Sequence, residues 1–476
     1  MKLYQLLLIA FCFSLTSKVA AQYDLTFKLD NFDGDTLIIG NYYADKQLVK
    51  DTLYSNGKKG VFEYKGSDTI PAGVYFLMPI PRQEYIQFFI RENDANFKLT
   101  WNTKDVTDVK VKGSEDNQVF LEYVDYLAEM RPKADVFRQR IAKADSTDAK
   151  DEEAEKFLKE LDQKVEKMQD EMLALDPDFM TVKFVKANRQ IDMPSFDDVP
   201  EDQRQYKTYR YYKDHYFDNI DIGDPANLRT PYLHQRIEYY IQKLTPQDPD
   251  SISASVDYIL GSMEERAPES FRYYLSYFLN EYAKMKIVGM DAVYVHLVDN
   301  YYAKGKADWV DEETLTKIVN QAEELRPSLI GKTFPNVKTY KMDGSPIELN
   351  DIESPYTVVV FWAYDCGHCT KAMPDIVSFY DEWESKGVTL MTICTKGGED
   401  KTEKCKEAIP KKNMDKFLNT FDPYQRYRKL IQIKSTPKIF ILDSEKKILI
   451  KDIPAKELKN IMPDIIKMEE KKSEQK

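Results

Sequence analysis

The tetrapeptide Cys366-Gly367-His368-Cys369 carries the clearest chemistry in the sequence. It follows an apolar run of strand length and precedes apolar residues at helical spacing, so Cys366 lies where a buried strand gives way to a helix. A thiolate at a helix N-terminus is stabilised by free backbone N–H groups and by the positive end of the helix dipole. Cys366 is therefore predicted to ionise readily and to act as a nucleophile. Cys369 lies one helical turn further on, where it can form a disulfide with Cys366.

The two residues between the cysteines suit the same chemistry. Gly367 leaves room for a substrate, and positive charge on His368 favours the thiolate, which makes the disulfide more oxidising. A purely structural disulfide and a zinc site that adds Cys394 and Cys405 stay open as alternatives, although such zinc spacing is unusual. A c-type haem site is excluded because Thr370 stands where a histidine is required. We predict no metal and no cofactor.

The N-terminal residues have the pattern of a secretory signal peptide. A cationic start at Lys2 and an apolar run precede the small residues Val19-Ala20-Ala21. The apolar run is shorter than the about 20 residues of a spanning helix, so an uncleaved anchor is the lesser alternative. Cleavage near Ala21 predicts a periplasmic or otherwise secreted protein. Beyond this segment the cysteines all lie in the last quarter of the chain, which favours local redox chemistry over a framework of structural disulfides.

Length and composition limit the class of protein. A chain of 476 residues is long enough for two to four domains. Its 42% hydrophobic residues supply buried cores, and its 31% charged residues argue against an integral membrane protein. The net charge of -12 repels a phosphate backbone, which excludes nucleic acid as a partner.

The sequence changes in character twice along the chain, which predicts three domains after a signal peptide at residues 1–21. Residues 22–113 show short alternating apolar runs broken by turn signals, which predict an all-β, sandwich-like domain. Residues 114–326 have helical spacing and few glycines, which predict an all-α middle domain. Residues 327–476 alternate strands with helices and predict a small α/β domain.

Two patterns in the middle domain have more than one interpretation. An apolar seam from Leu158 to Leu175 predicts a long helix that ends before Pro177, and we interpret it as half of an antiparallel hairpin rather than a partner-binding coiled coil. A cluster of rings between Tyr206 and Phe217 is interpreted as core rather than as a ring-lined groove.

At this point the sequence resembles a known family. PYTVVVFWAYDCGHCTKAMPDI is similar to the active-site segment of thioredoxin-fold thiol-disulfide oxidoreductases, and GKTFPNVKTYKMDGSPIELNDI before it resembles the lead-in of the periplasmic TlpA type. The resemblance covers roughly residues 327–470 and implies a thioredoxin-like fold. It implies that Cys366 attacks the substrate and that Cys369 resolves the mixed disulfide. The supporting positions that it implies are Trp362 in the FWA segment, Pro374 as the helix-kinking proline, and Thr436 with Pro437 as the cis-proline turn that faces the disulfide.

The sequence departs from this family at two places. Val360 stands where thioredoxins carry a buried acid that moves protons for the resolving thiol, so resolution by Cys369 is expected to be slower or to use another base. Cys394 and Cys405 are an additional pair, and a second disulfide, a thiol relay and two unreactive cysteines all stay open. The three-part layout also resembles secreted multidomain proteins of Bacteroidetes.

The sequence thus predicts a periplasmic thiol-disulfide oxidoreductase whose partners are protein thiols or disulfides and a membrane or periplasmic thiol donor. The alternative is a partner-binding scaffold of the cell envelope whose redox site is vestigial or regulatory. The direction of electron flow stays open, because His368 favours an oxidase or isomerase and the TlpA-type resemblance favours a reductase. The oligomeric state stays open as well.

Overall fold

A computed structural model describes residues 22–474 except 56, 83, 92–93 and 146–149. The predicted signal peptide lies outside these residues. The chain forms two compact units: one extends to Leu244 and includes Gly261–Ser270, and the other contains Thr245–Leu260 and Phe271–Lys476. The helical region contributes to both units. The division into three domains stays a prediction.

The N-terminal region is a sandwich of two four-stranded sheets, as predicted. Its strands are β1 (Tyr23–Asp30), β2 (Thr36–Tyr43), β3 (Lys46–Tyr54), β4 (Val61–Gly66), β5 (Gly73–Ile80), β6 (Ile86–Ile90), β7 (Asn96–Asn102) and β8 (Val109–Lys112). The sheet orders are β4-β1-β7-β8 and β3-β2-β5-β6. Alternate side chains of both sheets, among them Phe27, Ile39, Leu77 and Phe88, meet in one buried core.

Helices follow from Glu115 onward. They are α1 (Glu115–Asp145), α2 (Glu152–Leu173), α3 (Met180–Asn188), α4 (Glu201–Asp214), α5 (Leu233–Lys243), α6 (Pro249–Met263), α7 (Pro268–Lys284), α8 (Asp291–Leu297) and α9 (Glu312–Leu325). Single-turn 3-10 or π segments lie at Pro225–Arg229, Val298–Tyr302 and Arg326–Ser328. No helix in the described part of the chain is long and apolar enough to cross a membrane.

Two interpretations of the helical region meet different outcomes. The hairpin is confirmed, since α1 and α2 pack side by side with the rings of Phe137 and Phe157 stacked 3.9 Å apart. The assignment of the ring cluster to the core is wrong for Tyr206, which is 64% exposed, whereas Tyr209, Tyr211 and Tyr212 of α4 are half-buried. It holds for Tyr216 and Phe217, which follow the helix and are buried. Tyrosine can remain at a surface because its hydroxyl stays hydrated.

The C-terminal region is α/β, as predicted. Its strands are β9 (Lys338–Lys341), β10 (Pro346–Glu348), β11 (Tyr356–Trp362), β12 (Val388–Cys394), β13 (Leu418–Phe421), β14 (Lys438–Leu442) and β15 (Ile448–Lys451). Its helices are α10 (Gly367–Trp383), α11 (Glu399–Lys411), α12 (Tyr427–Leu430) and α13 (Leu458–Glu474), with 3-10 turns at Leu349–Asp351, Glu384–Lys386 and Ala455–Glu457. The sheet order is β10-β9-β13-β12-β11-β14-β15.

Strand β11 lies inside this sheet, parallel to β12 and antiparallel to β14. Val358 and Val360 point into one apolar cluster, and Val359 and Phe361 point into another on the opposite face. This double burial explains why the strand is a continuous apolar run. The sequence analysis missed β13, which has only four residues and pairs with β12 and β9.

Candidate redox site

The turn after β11 presents Cys366 at the start of α10. Cys366 is the N-cap residue of that helix and has an extended backbone with φ of -90°. The backbone N–H of Cys369 donates to Cys366 Sγ at 3.0 Å. This N–H group belongs to the first turn and has no acceptor within the helix, so its bond to the sulfur favours negative charge on Cys366 Sγ.

The two cysteines are joined by a disulfide and differ in exposure. Their Cα atoms lie 5.2 Å apart. Cys366 is half-buried, whereas Cys369 is 0% exposed and packs against the apolar cluster beneath α10. An incoming thiol can therefore reach the sulfur of Cys366 and not that of Cys369.

The loop before β14 completes the site from a distant part of the sequence. The carbonyl oxygen of Thr436 lies 3.3 Å from Cys366 Sγ, although the two residues are 70 positions apart. The Thr436–Pro437 peptide is cis, and Lys438 pairs with Phe361 of β11 in the sheet. The pairing of β14 with β11 brings this turn against the disulfide, as the resemblance implies.

The other predicted positions on α10 are at its surface. Gly367 and His368 are both exposed, and a Cβ atom built at Gly367 meets no other atom within 4 Å. The space above Gly367 is open to a partner. Pro374 lies inside α10 and is exposed.

Two residues of β11 form the floor of the site. Trp362 is 0% exposed, and its carbonyl oxygen accepts hydrogen bonds from the backbone N–H and the hydroxyl of Thr395 at 2.8 and 3.1 Å. Val360 is 0% exposed and belongs to the same apolar cluster as Cys369. The position of the thioredoxin acid is thus filled by a side chain that can neither accept nor donate a proton.

Cys394 and Cys405 form a second disulfide, one of the possibilities that the sequence left open. Their Cα atoms lie 6.5 Å apart, and both residues are 0% exposed. Cys394 is the last residue of β12, in register with Trp362, and Cys405 belongs to α11. This bond joins α11 to the end of the strand beside β11.

Charged residues near Cys366 escaped the sequence analysis. Lys396 Nζ contacts the carboxylate of Asp365 at 2.9 Å. The ammonium groups of Lys396 and Lys404 each lie 5.9 Å from the centre of the Tyr364 ring. The available signal was the position of Lys396 just after β12, because the carboxyl ends of parallel strands meet at one edge of a sheet.

Three protein-family descriptions match successive parts of the chain. The AhpC/TSA family matches residues 330–450. Two domains of unknown function, DUF5106 and DUF4369, match residues 159–328 and 23–120.

Individual relatives resemble parts of the chain. The thiol-disulfide oxidoreductase ResA of Oceanobacillus iheyensis is 26% identical over 86 residues, which are 17% of this chain and 45% of that protein. The chain thus matches less than half the length of this relative. A crystal structure of a thioredoxin-like protein from Bacteroides caccae covers 58% of this chain and 99% of its own, with 16% identity and a TM-score of 0.42. A domain of a possible thiol-disulfide isomerase from Cytophaga hutchinsonii covers 31% of this chain and 97% of its own, with 25% identity and a TM-score of 0.28.

The family match and the strand order concern the same part of the chain. The matched residues 330–450 contain β9 to β14, α10 and the disulfide at the N-terminus of that helix. The C-terminal part of this multidomain chain is therefore a thioredoxin-like domain of the AhpC/TSA family.

Proposed function

We propose that the protein is a periplasmic thiol-disulfide oxidoreductase that exchanges disulfides through Cys366 and Cys369. One observation carries the proposal: the half-buried Cys366 at a helix N-terminus is bonded to the fully buried Cys369. This asymmetry gives the two cysteines different roles. Cys366 forms the bond with the partner, and Cys369 releases it.

The proposed exchange can run in either direction. In the oxidising direction, a substrate thiolate attacks Cys366 Sγ, the Cys366–Cys369 bond breaks, and Cys369 leaves as a thiolate. A second substrate thiolate then attacks the substrate sulfur of the mixed disulfide and releases Cys366. The substrate loses two electrons, which the two cysteines gain. The reducing direction reverses these steps, with attack by the Cys366 thiolate and resolution by Cys369.

The surroundings of the two sulfurs support these roles. The N–H of Cys369 and the helix N-terminus stabilise the Cys366 thiolate. The backbone at Thr436 lies beside the reacting sulfur, where an extended substrate segment can form main-chain hydrogen bonds. Because Val360 cannot take a proton, the proton of the Cys369 thiol goes to water or to the leaving thiolate.

The N-terminal sequence supports the proposed compartment, and thiol-disulfide exchange indicates the proposed partners. The signal-peptide pattern supports export to an oxidising compartment, where disulfides persist. Protein thiols and disulfides are the proposed substrates, and a membrane or periplasmic thiol donor or acceptor returns the pair to its starting state. The reduction potential of the Cys366–Cys369 couple decides the direction.

Trapping of the mixed disulfide tests the proposal. In Cys369→Ala the resolving thiol is absent, so covalent adducts with protein partners should accumulate on a non-reducing gel. Cys366→Ala should hold none. The control is the double variant Cys394→Ala and Cys405→Ala, which keeps the resolving thiol of Cys369 and should therefore accumulate no adducts. Equal trapping by both single variants, or none by either, would overturn the proposal in favour of the scaffold alternative.

A further inference from the structure

The segment between Cys394 and Cys405 carries two lysines toward the reactive pair. Lys396 lies near its beginning and pairs with Asp365, the residue before Cys366. Lys404 lies at its end, directly before Cys405, and its ammonium approaches the Tyr364 ring. The second disulfide thus closes a loop whose two ends both contact the turn between β11 and α10.

The pairing of Asp365 matters because of its position in the chain. A carboxylate next to a thiol opposes formation of the thiolate, and a cation bound to that carboxylate cancels much of the opposition. Asp365 and Lys396 are partly exposed, with side-chain exposures of 48% and 35%, so solvent screens the pair incompletely. Ion pairs that are this exposed contribute little to folding stability. We therefore expect the pair to affect mainly the ionisation of the neighbouring Cys366 thiol.

Other ionisable groups lie near Cys366 along the chain or on segments that contact this turn. These are His368 and Lys371 on α10, Lys404 and Lys412 on and after α11, and Lys438 two residues after Thr436. Lys412 contacts the hydroxyl of Thr370, and Lys438 pairs with Asp452. Asp365 is the carboxylate directly beside Cys366 in the chain. Whether its negative charge opposes formation of the Cys366 thiolate therefore depends on whether Lys396 is bound to it.

We propose that Lys396 is a positioning residue that neutralises Asp365 beside the Cys366 thiolate, and that the Cys394–Cys405 disulfide holds Lys396 there. The reactivity of the exposed pair then depends on the redox state of the buried pair. Reduction of the buried bond by a dithiol takes up two electrons and two protons, yields two thiols, and turns the dithiol into a disulfide. This inference rests on the proposed function, because it concerns the nucleophile of that reaction.

The segment that carries Lys396 is attached at both of its ends, and the second disulfide is one of these attachments. Hydrogen bonds from Thr395 to the Trp362 carbonyl fix its first residue to β11. Gly398 follows with φ of +95°, a conformation that other residues adopt at a cost. Beyond it, the bond at Cys405 is what connects α11 covalently to β12. Ala408 and Ile409 also pack α11 into the apolar cluster, so without that bond the start of α11, where Lys404 approaches Tyr364, is held by packing alone.

The test measures the rate at which iodoacetamide alkylates Cys366 as a function of pH, with the 394–405 bond intact and the reactive pair reduced. Lys396→Met should move the midpoint of the profile upward by about 0.5–1 pH unit. Adding Asp365→Asn to that variant should restore the midpoint, and Lys396→Arg should keep it. The shift should shrink near 1 M salt, where the screening length falls to about 3 Å. Lys416→Met, which breaks the exposed pair with Asp381, is the matched control and should leave the profile unchanged.

The second arm removes the buried bond. The double variant Cys394→Ala and Cys405→Ala should show an upward shift of the midpoint in the same direction as Lys396→Met, and adding Lys396→Met to it should shift the midpoint little further. An unchanged midpoint in Lys396→Met, or no rescue by Asp365→Asn, would overturn the role of Lys396. Additive shifts would overturn the link to the second disulfide. In each of these cases, trapped adducts in Cys369→Ala would still uphold the proposed function.

Discussion

The two cysteine pairs lie in one domain and share one apolar cluster, but they differ in their access to solvent. Cys369, Cys394 and Cys405 are all 0% exposed, and Cys366 is the one that reaches the surface. Cys366 also caps a helix, whereas Cys394 ends a strand and Cys405 lies within a helix. In the proposed function, the placement of the Cys366 sulfur is what makes one of the two disulfides reactive. The other pair, with the same bond, is held as a crosslink.

The largest expected effect comes from removing one sulfur of the exposed pair. Cys366→Ser should lower the rate of insulin disulfide reduction by about 10³-fold or more, because no other thiol can form the mixed disulfide. The matched variant, with Cys394→Ser and Cys405→Ser together, should keep turnover within about tenfold of the wild type. Comparable losses in both proteins would show that the buried pair takes part in the reaction.

Access to solvent should also separate the rates at which the two bonds are reduced. Under native conditions dithiothreitol should open Cys366–Cys369 at least about 100-fold faster than Cys394–Cys405, since exchange requires contact with a sulfur atom. Timed alkylation followed by peptide mass spectrometry measures both rates. In urea the two rates should converge. Equal rates in the folded protein would show that exposure does not distinguish the two bonds.

A substitution at Val360, beneath the exposed pair, tests the role of Cys369 as the resolving thiol. Val360→Asp places a carboxyl in the cluster around Cys369, and as a proton acceptor it should speed resolution by about tenfold. Burial raises the pKa of such a carboxyl above its unfolded value, so the variant should lose stability as the pH rises through about 4 and beyond. Single-turnover decay of the mixed disulfide in a protein that keeps Cys369, and urea unfolding at several pH values, measure the two effects. Val360→Asn, which cannot ionise, is the control for the change in shape.

The smallest effect is expected at Gly367. A methyl group there meets no atom within 4 Å, so Gly367→Ala should change the free energy of unfolding by less than about 1 kcal/mol. Exchange with a folded protein substrate should slow several-fold, while exchange with oxidised glutathione should hardly change, because the added methyl occupies space that a large partner needs. If both substrates slow equally, Gly367 acts through the helix and not through access.

Features formed by neighbouring residues could be predicted from the sequence, whereas features formed by contacts between distant residues could not. Strand β11 and the start of α10 were predicted closely, because a doubly buried strand and a helix cap leave local signals in the sequence. Strand β13 was missed because four residues form it only by pairing with β12 and β9. The contact of Lys396 with Asp365 was missed because their positions after two parallel strands indicate a shared edge of the sheet but not which side chains meet there.

Tyr206 and the second cysteine pair show the same limit. Helical spacing alone did not indicate that Tyr206 of α4 lies at the surface. For Cys394 and Cys405, eleven positions apart, the sequence allowed both separate thiols and a bond. The fold decided the matter by bringing the end of β12 next to α11.

The 70 positions between Cys366 and Thr436 give the site a place in the order of synthesis. The cysteines leave the ribosome before β14 exists, and the backbone that covers their sulfur arrives only when β14 pairs with β11. A chain in which β14 has not yet paired therefore carries the two cysteines without the Thr436 carbonyl beside Cys366, because strand pairing between distant parts of a sequence is slow. The formation of the complete site thus reports that the domain has finished folding.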